Sequence, residues 1–180
     1  MAHGNYSLQQ SNHSLLNMLN KTEENEQKTS PLPHLDELRV GIVVSDSKAE
    51  ISRALCDSAV AVLRNEGYPD NDITVVHVPN TFQLVFAASR LAKCRAFDAV
   101  IILGCIVRGT TPHFEYECQH VTQGAAILNA EGKVPVIFGV LTVDSEEQAM
   151  MRIGGMPSEC NRGAEAAEEA IRMAEIARKY

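Results

Sequence analysis

The chain has 180 residues, of which 45% are hydrophobic and 22% charged, and its formal net charge is -7. This length suits one compact domain with some sequence to spare, and the composition excludes disorder throughout. The acidic balance argues against a nucleic-acid binder, which concentrates Lys and Arg on phosphates, and the absence of Trp leaves few rings for stacking bases.

Residues 1 to about 36 are rich in Asn, Gln, Ser, Glu and Lys and end in the turn signal Pro31-Leu32-Pro33, which predicts a flexible tail ahead of a single domain from residue 37 to 180. Glycosylation-type triplets at Asn5, Asn12 and Asn20 are expected by chance in such sequence. Glu23, Glu24 and Glu26 argue against a transit peptide, and no apolar core suggests a signal peptide or a membrane span. Five cysteines, Cys56, Cys94, Cys105, Cys118 and Cys160, form no C-x-x-C pair and suit a reducing compartment, so the expected location is the cytoplasm.

From Arg39 onward, short apolar runs alternate with helical patterns, the signature of a parallel sheet wrapped by helices. A first strand is predicted over Arg39 to Val44. Ile51, Leu55, Ala59, Val62 and Leu63 then recur at helical spacing, and Gly67 supplies a left-handed stop. A second strand, Ile73 to Val78, is cut by Pro79 and followed by the inward stripe Leu84, Ala87, Ala88 and Leu91. The third strand, Ala99 to Leu103, runs into Gly104. Thr111 is then expected to cap, and Pro112 to open, a helix reaching about Ala130. A fourth strand covers Val134 to Leu141. A short helix from Ser145 carries Gln148 at capping-box spacing, and a long one runs from about Arg162 to Lys179. The expected architecture is a three-layer, flavodoxin-like α/β domain with a four-stranded parallel sheet in the order 2-1-3-4, flanked by helices.

Ligands of open parallel sheets bind beyond the carboxyl ends of the strands, which singles out the loops Ser45 to Glu50, Pro79 to Gln83, Gly104 to His113 and Thr142 to Ser145. Gly109, Thr110 and Thr111 precede a helix and offer backbone N–H groups, hydroxyls and a positive dipole end to an anion; the same residues also suit a helix cap without a ligand. His113, on the first turn, could pass protons or serve structure alone. No Walker segment and no G-x-G-x-x-G follow the first strand, and the six histidines, His3, His13, His34, His77, His113 and His120, show no zinc spacing with the acids. A phosphoacceptor signalling domain would need an acidic cluster after strand one, where only Asp46 stands.

Taken together, VVS after strand one, VPNTFQL after strand two, GCIVRGTTPHFEYE after strand three, VPVIFGVLT along strand four, and EEQAMMRIG with NRG beyond it resemble the lumazine synthase family over Leu38 to Lys179. The resemblance implies condensation of 5-amino-6-ribitylaminouracil with 3,4-dihydroxy-2-butanone 4-phosphate to 6,7-dimethyl-8-ribityllumazine, with phosphate and water released and no metal or redox cofactor. It implies His113 as the proton-transfer residue and Gly109, Thr110, Thr111 and Arg152 as the phosphate site. It further implies Phe82, Thr81 and Gln83 beside the ribityl chain, and Ile106 and Val107 along the pyrimidine edge. Phe138, Arg152 and Arg162 match positions that enter the site from a neighbouring subunit, so a homopentamer acting on small molecules is expected.

Three departures from the family pattern stand out. Ser47, followed by Lys48, stands where an aromatic ring stacks on the pyrimidine, which would cost roughly 1–3 kcal/mol of affinity. Asn80-Thr81-Phe82-Gln83 replaces a glycine-small-Phe-Glu segment, exchanging a carboxylate for an amide, and Arg162 replaces a lysine. An alternative reading is therefore a weakened or inactive relative serving as an oligomeric scaffold or flavin binder. The loop from Gly154 to Asn161 is read as about two residues longer than in members that close into sixty-subunit shells, which favours an isolated pentamer.

Overall fold

A computed structural model of the chain describes residues 31–154 and 160–180. Most of the predicted tail, with its three Asn triplets, and positions 155–159 of the loop after Gly154 lie outside the described residues.

The apolar runs become four parallel strands, β1 (Val40–Ser45), β2 (Ile73–Val78), β3 (Ala99–Val107) and β4 (Val136–Val143), in the order β2-β1-β3-β4. This is the expected order. β1 and β3 occupy the middle of the sheet and are buried almost throughout, which is why they read as continuous β-branched and aliphatic runs. β2 lies on an edge and exposes Thr74, Val75 and His77.

Among the described residues five α-helices connect and cover the strands: α1 (Ala49–Asn65), α2 (Phe82–Lys93), α3 (His113–Ala130), α4 (Glu146–Met150) and α5 (Arg162–Lys179). Side chains alternate across a strand, so Val43, Val100, Ile102, Val136 and Val140 face one way and pack with Leu84, Ala88, Val121, Ala125 and Leu128 of α2 and α3. Residues of opposite parity meet α1 and α5. The latter pair approaches closely because α5 buries Gly163, Ala166, Ala167, Ala170 and Ala174. A Cβ at Gly163 would stand 2.2 Å from the Leu55 carbonyl oxygen.

Local chemistry sets the helix ends. Gly67 takes the left-handed conformation (φ 93°) expected of it, and Tyr68 N–H bonds back to the Leu63 carbonyl. Ser145 Oγ accepts the Gln148 N–H, while the Gln148 amide oxygen receives the Asp144 N–H, one residue further back than a reciprocal box would have it. At the entry to the domain His34 stacks on Tyr68, whose hydroxyl accepts the Leu35 N–H.

β1, β3 and β4 end further along the chain than the hydrophobic pattern predicts, at Ser45, Val107 and Val143. β3 passes through Gly104 to Val107, with Ile106 and Val107 paired to Thr142 and Val143 of β4. Gly104 is a point of close approach, not a strand end. A Cβ there would sit 3.2 Å from the Thr81 methyl and 3.3 Å from Ser45 Cβ, so the missing side chain lets the first two loops settle onto β3.

Candidate active site

The carboxyl ends of the strands bring the first three predicted loops together. Ser45 is fully buried, and its hydroxyl meets Ser47 Oγ at 2.7 Å and receives the Ser47 N–H at 3.2 Å. Ser52 Oγ bonds the Ser47 carbonyl, and Lys48, left-handed at φ 52°, reaches across to Glu146 at the start of α4. Ser47 therefore closes its own turn.

In the second loop, Asn80 Oδ1 accepts the Phe82 N–H at 3.0 Å and so satisfies a donor at the start of α2. The following Thr81 is fully buried, and its hydroxyl donates to Glu117 of α3. Phe82 is half-buried between two imidazoles, with ring centroids 5.6 Å from His113 and 4.8 Å from His120. His120 Nε2 also lies 3.1 Å from the Phe82 carbonyl. Gln83 is exposed beside it.

The third loop is shorter than the sequence suggests, because β3 holds Ile106 buried and Val107 half-buried at its end. Gly109, Thr110 and Thr111 are exposed, and a Cβ at Gly109 would meet open space. The expected cap by Thr111 is not made. Pro112 takes the cap position, α3 begins at His113, and no side chain caps it. Thr111 lies one residue too early for its hydroxyl to meet the first-turn N–H groups. Among the described residues the Glu115 N–H meets its own carboxylate, while the His113 and Phe114 N–H groups have no side-chain acceptor, which is the arrangement that favours an anion at a helix start.

Arg108 fixes this loop in place. Its guanidinium donates to Asp144 (2.7 Å) and to Glu115, and lies 4.1 Å from the centroid of the Phe114 ring. Glu115 is held below the usual carboxylate range by a hydrogen bond from its own backbone N–H and then by Arg108. His113 itself is open, with 67% of its side chain exposed, and its Nε2 lies 3.9 Å from Glu117 Oε2.

Arg152, Phe138 and Arg162 belong to a second group of residues along β4. Arg152 and Arg162 line a cavity of about 260 Å³ with Thr142, Gln148 and Cys160. Arg152 is exposed and donates to the Gln148 carbonyl; among the described residues it has no carboxylate within ion-pairing distance, so its charge is open to an anion. Arg162 is different. It donates to the Phe138 carbonyl and pairs with Glu169 (2.7 Å) and Glu165 (3.2 Å); burial works against its charge, but these two carboxylates outweigh that and raise its pKa. Among the described residues, no hydrogen bond or ion pair joins either arginine to Thr110, Thr111 or His113.

Sequence reasoning named the residues around His113 but missed Glu117 and Arg108. Glu117 lies one helical turn from His113, a spacing visible in the sequence, but its bond to Thr81 depends on how α2 and α3 dock. Among the described residues no group of three His, Cys, Asp or Glu side chains is placed to hold a metal, and no helix is long and apolar enough to cross a membrane.

Residues 37–178 match the family model described as 6,7-dimethyl-8-ribityllumazine synthase. Curated proteins named 6,7-dimethyl-8-ribityllumazine synthase are similar over most of the chain. The one from Porphyromonas gingivalis is 47% identical over 142 residues, 79% of this chain and 87% of that protein. The one from Bacteroides fragilis is 46% identical over 136 residues, 76% and 94%. The one from Phocaeicola vulgatus is 43% identical over 148 residues, 82% and 87%. With this match spread over the sheet, the helices and the loops that carry the site, the chain belongs to the 6,7-dimethyl-8-ribityllumazine synthase family.

Proposed function

We propose that this chain is an active transferase of riboflavin biosynthesis, which condenses 5-amino-6-ribitylaminouracil with 3,4-dihydroxy-2-butanone 4-phosphate to 6,7-dimethyl-8-ribityllumazine, releasing phosphate and water. The observation that carries this reading is the uncapped start of α3, where exposed Gly109, Thr110 and Thr111 stand next to an open imidazole at His113 and the ring of Phe82. Phosphate sits at the helix start, and Arg152 supplies the opposing charge. His113 moves protons during imine formation, phosphate loss and ring closure, steps that otherwise need mainly positioning. Phe82 and Gln83 border the ribityl chain, with Thr81, expected there too, fully buried behind them on Glu117. Ile106 and Val107 present strand-end backbone to the pyrimidine edge, and Ser47 borders the same ring. The local roles of Ser47 and Asn80 give these departures from the family pattern a folding reason, which supports an active enzyme over a scaffold or flavin-binding relative.

The functional unit in this reading is a homopentamer in which Arg152, Phe138 and Arg162 complete a neighbour's site. Three large apolar side chains support it, since Phe86, Tyr116 and Ile127 are 71%, 65% and 61% exposed on α2 and α3. The open edge of β2 supports it as well. Five free thiols support a cytoplasmic setting.

Mixing the two substrates with the protein and following lumazine absorbance tests the proposal. Turnover is expected, with His113→Ala reducing kcat by roughly 10²-fold or more. Tight flavin binding with no turnover would overturn it, and a monomer by size-exclusion chromatography would overturn the shared site.

A further inference from the structure

Away from the candidate active site, the amino-terminal edge of the sheet carries a cavity of about 530 Å³, within the range of small-molecule sites. Its lining includes Arg39, Lys93, Arg95, Lys133 and Arg178, with one carboxylate, Asp98. Asp98 serves two of these cations, at 3.7 Å from Arg39 and 3.2 Å from Arg178, and Glu131 pairs with Lys133 at 2.8 Å. Counting Glu131 with the lining, five positive side chains face two negative ones.

Cations at this edge also answer the carbonyl ends of α2, α3 and α5, which stop at Lys93, Ala130 and Lys179. Each helix end carries roughly half a negative charge, so the three offset only about half of the excess. A positive field remains, in a chain whose net charge is -7.

Arg95 makes the case specific. It follows Cys94, the C-cap of α2, with φ 56°, in the left-handed conformation that this position ordinarily gives to glycine. Among the described residues it has no ion-pair partner, and it is exposed. A long cationic side chain is held where the backbone disfavours any side chain, which points to a use for the charge. Beside it, Phe97 and Val134 supply an apolar surface.

We propose that this cleft binds a small organic diphosphate, with its phosphates on Lys93, Arg95 and Lys133 and its apolar body against Phe97 and Val134. The remaining excess of charge suits a multivalent anion better than a single phosphate, and the apolar wall suits an organic group better than a bare inorganic ion. This inference is independent of the reaction assigned to the opposite edge.

Isothermal titration calorimetry of the full chain, with ADP, pyrophosphate and inorganic phosphate as probes at physiological ionic strength, tests it. Saturable binding is expected, tightest for ADP and at least about tenfold weaker for inorganic phosphate. Arg95→Gly should weaken ADP binding by about tenfold while raising the urea midpoint, since glycine suits the left-handed backbone; lumazine formation should be unchanged. That opposite pair of effects separates lost binding from lost folding. Lys93→Gln should weaken ADP in the same direction, and Arg152→Ala should leave it alone. The proposal is overturned if neither ADP nor pyrophosphate saturates, if ADP binds no more tightly than pyrophosphate, or if Arg152→Ala abolishes binding while Arg95→Gly does not.

Discussion

Glu117 receives the hydroxyl of buried Thr81 on one carboxylate oxygen and holds the other 3.9 Å from His113 Nε2, so one side chain ties the second loop to the imidazole. With its side chain only 17% exposed, it acts as a positioning residue. Glu117→Ala leaves the Thr81 hydroxyl without its acceptor, which should cost roughly 1–3 kcal/mol by urea unfolding and lower kcat more than it raises either KM. Glu117→Gln keeps an acceptor for Thr81 and should recover most of the stability. Equal unfolding midpoints for the wild-type and alanine chains would contradict the link.

Arg152 brings a charge without a carboxylate partner among the described residues, and so should be felt through phosphate. A charge-assisted hydrogen bond is worth roughly 1.5–3 kcal/mol. Arg152→Ala should therefore raise the KM of the phosphorylated substrate by about ten- to a hundredfold, with the pyrimidine KM much less changed. Steady-state kinetics with each substrate varied in turn reads the difference, and Arg152→Lys should recover only part of it.

Ser47→Phe should tighten pyrimidine binding by about ten- to a hundredfold through restored stacking. Losing the Ser45–Ser47 hydroxyl bond should lower stability by about 1 kcal/mol, the Ser47 N–H still serving Ser45 Oγ. Fluorescence titration with the pyrimidine checks the first effect, and unchanged affinity would rule out stacking at this position.

The contact between α1 and α5 gives a prediction about packing. Gly163→Ala places a methyl against the Leu55 carbonyl, and the helices must part to admit it. Destabilisation of about 1–3 kcal/mol is expected in urea. A neutral result would show that α5 can shift freely.

Burial pushes the Cys56 and Cys105 thiols up from 9.0 to about 11. Each is neutral when protonated, so a raised folded pKa favours the native state fully below pH 9 and loses that effect as pH climbs toward about 11. Unfolding free energy measured across this window should fall with pH, by less in a Cys56→Ala, Cys105→Ala chain when each curve is referred to its own value at pH 8. At about pH 8, a thiol reagent should label exposed Cys94 well before either buried thiol.

The strands and most helix positions were legible because hydrophobic period and length separate a buried strand from an amphipathic helix, while the order 2-1-3-4 followed only from the crossover rules of doubly wound sheets. Gly104 misled, since a glycine inside a strand pattern can mean an end or a close approach, and only the neighbours Thr81 and Ser45 decide which. The Thr111 cap failed for a similar reason: a one-residue shift in helix start, set by Pro112, moves the hydroxyl out of reach. Around the candidate site, the local sequence pattern could name only residues adjacent to Gly109, Thr110 and Thr111. The Thr81–Glu117 bond and the Arg108–Asp144 clamp join positions 36 residues apart in each case, and nothing local announces them.

The two arginines flanking the loop after α4 are stapled to each other by backbone, with the Arg162 N–H on the Arg152 carbonyl and Ile153 bridged to Asn161. Asn161 is in turn anchored to Ser58 of α1. A change of chain length between Gly154 and Cys160 therefore leaves this tie in place, and both guanidinium groups keep their footing. The length of this segment is thus free to differ without retuning either arginine.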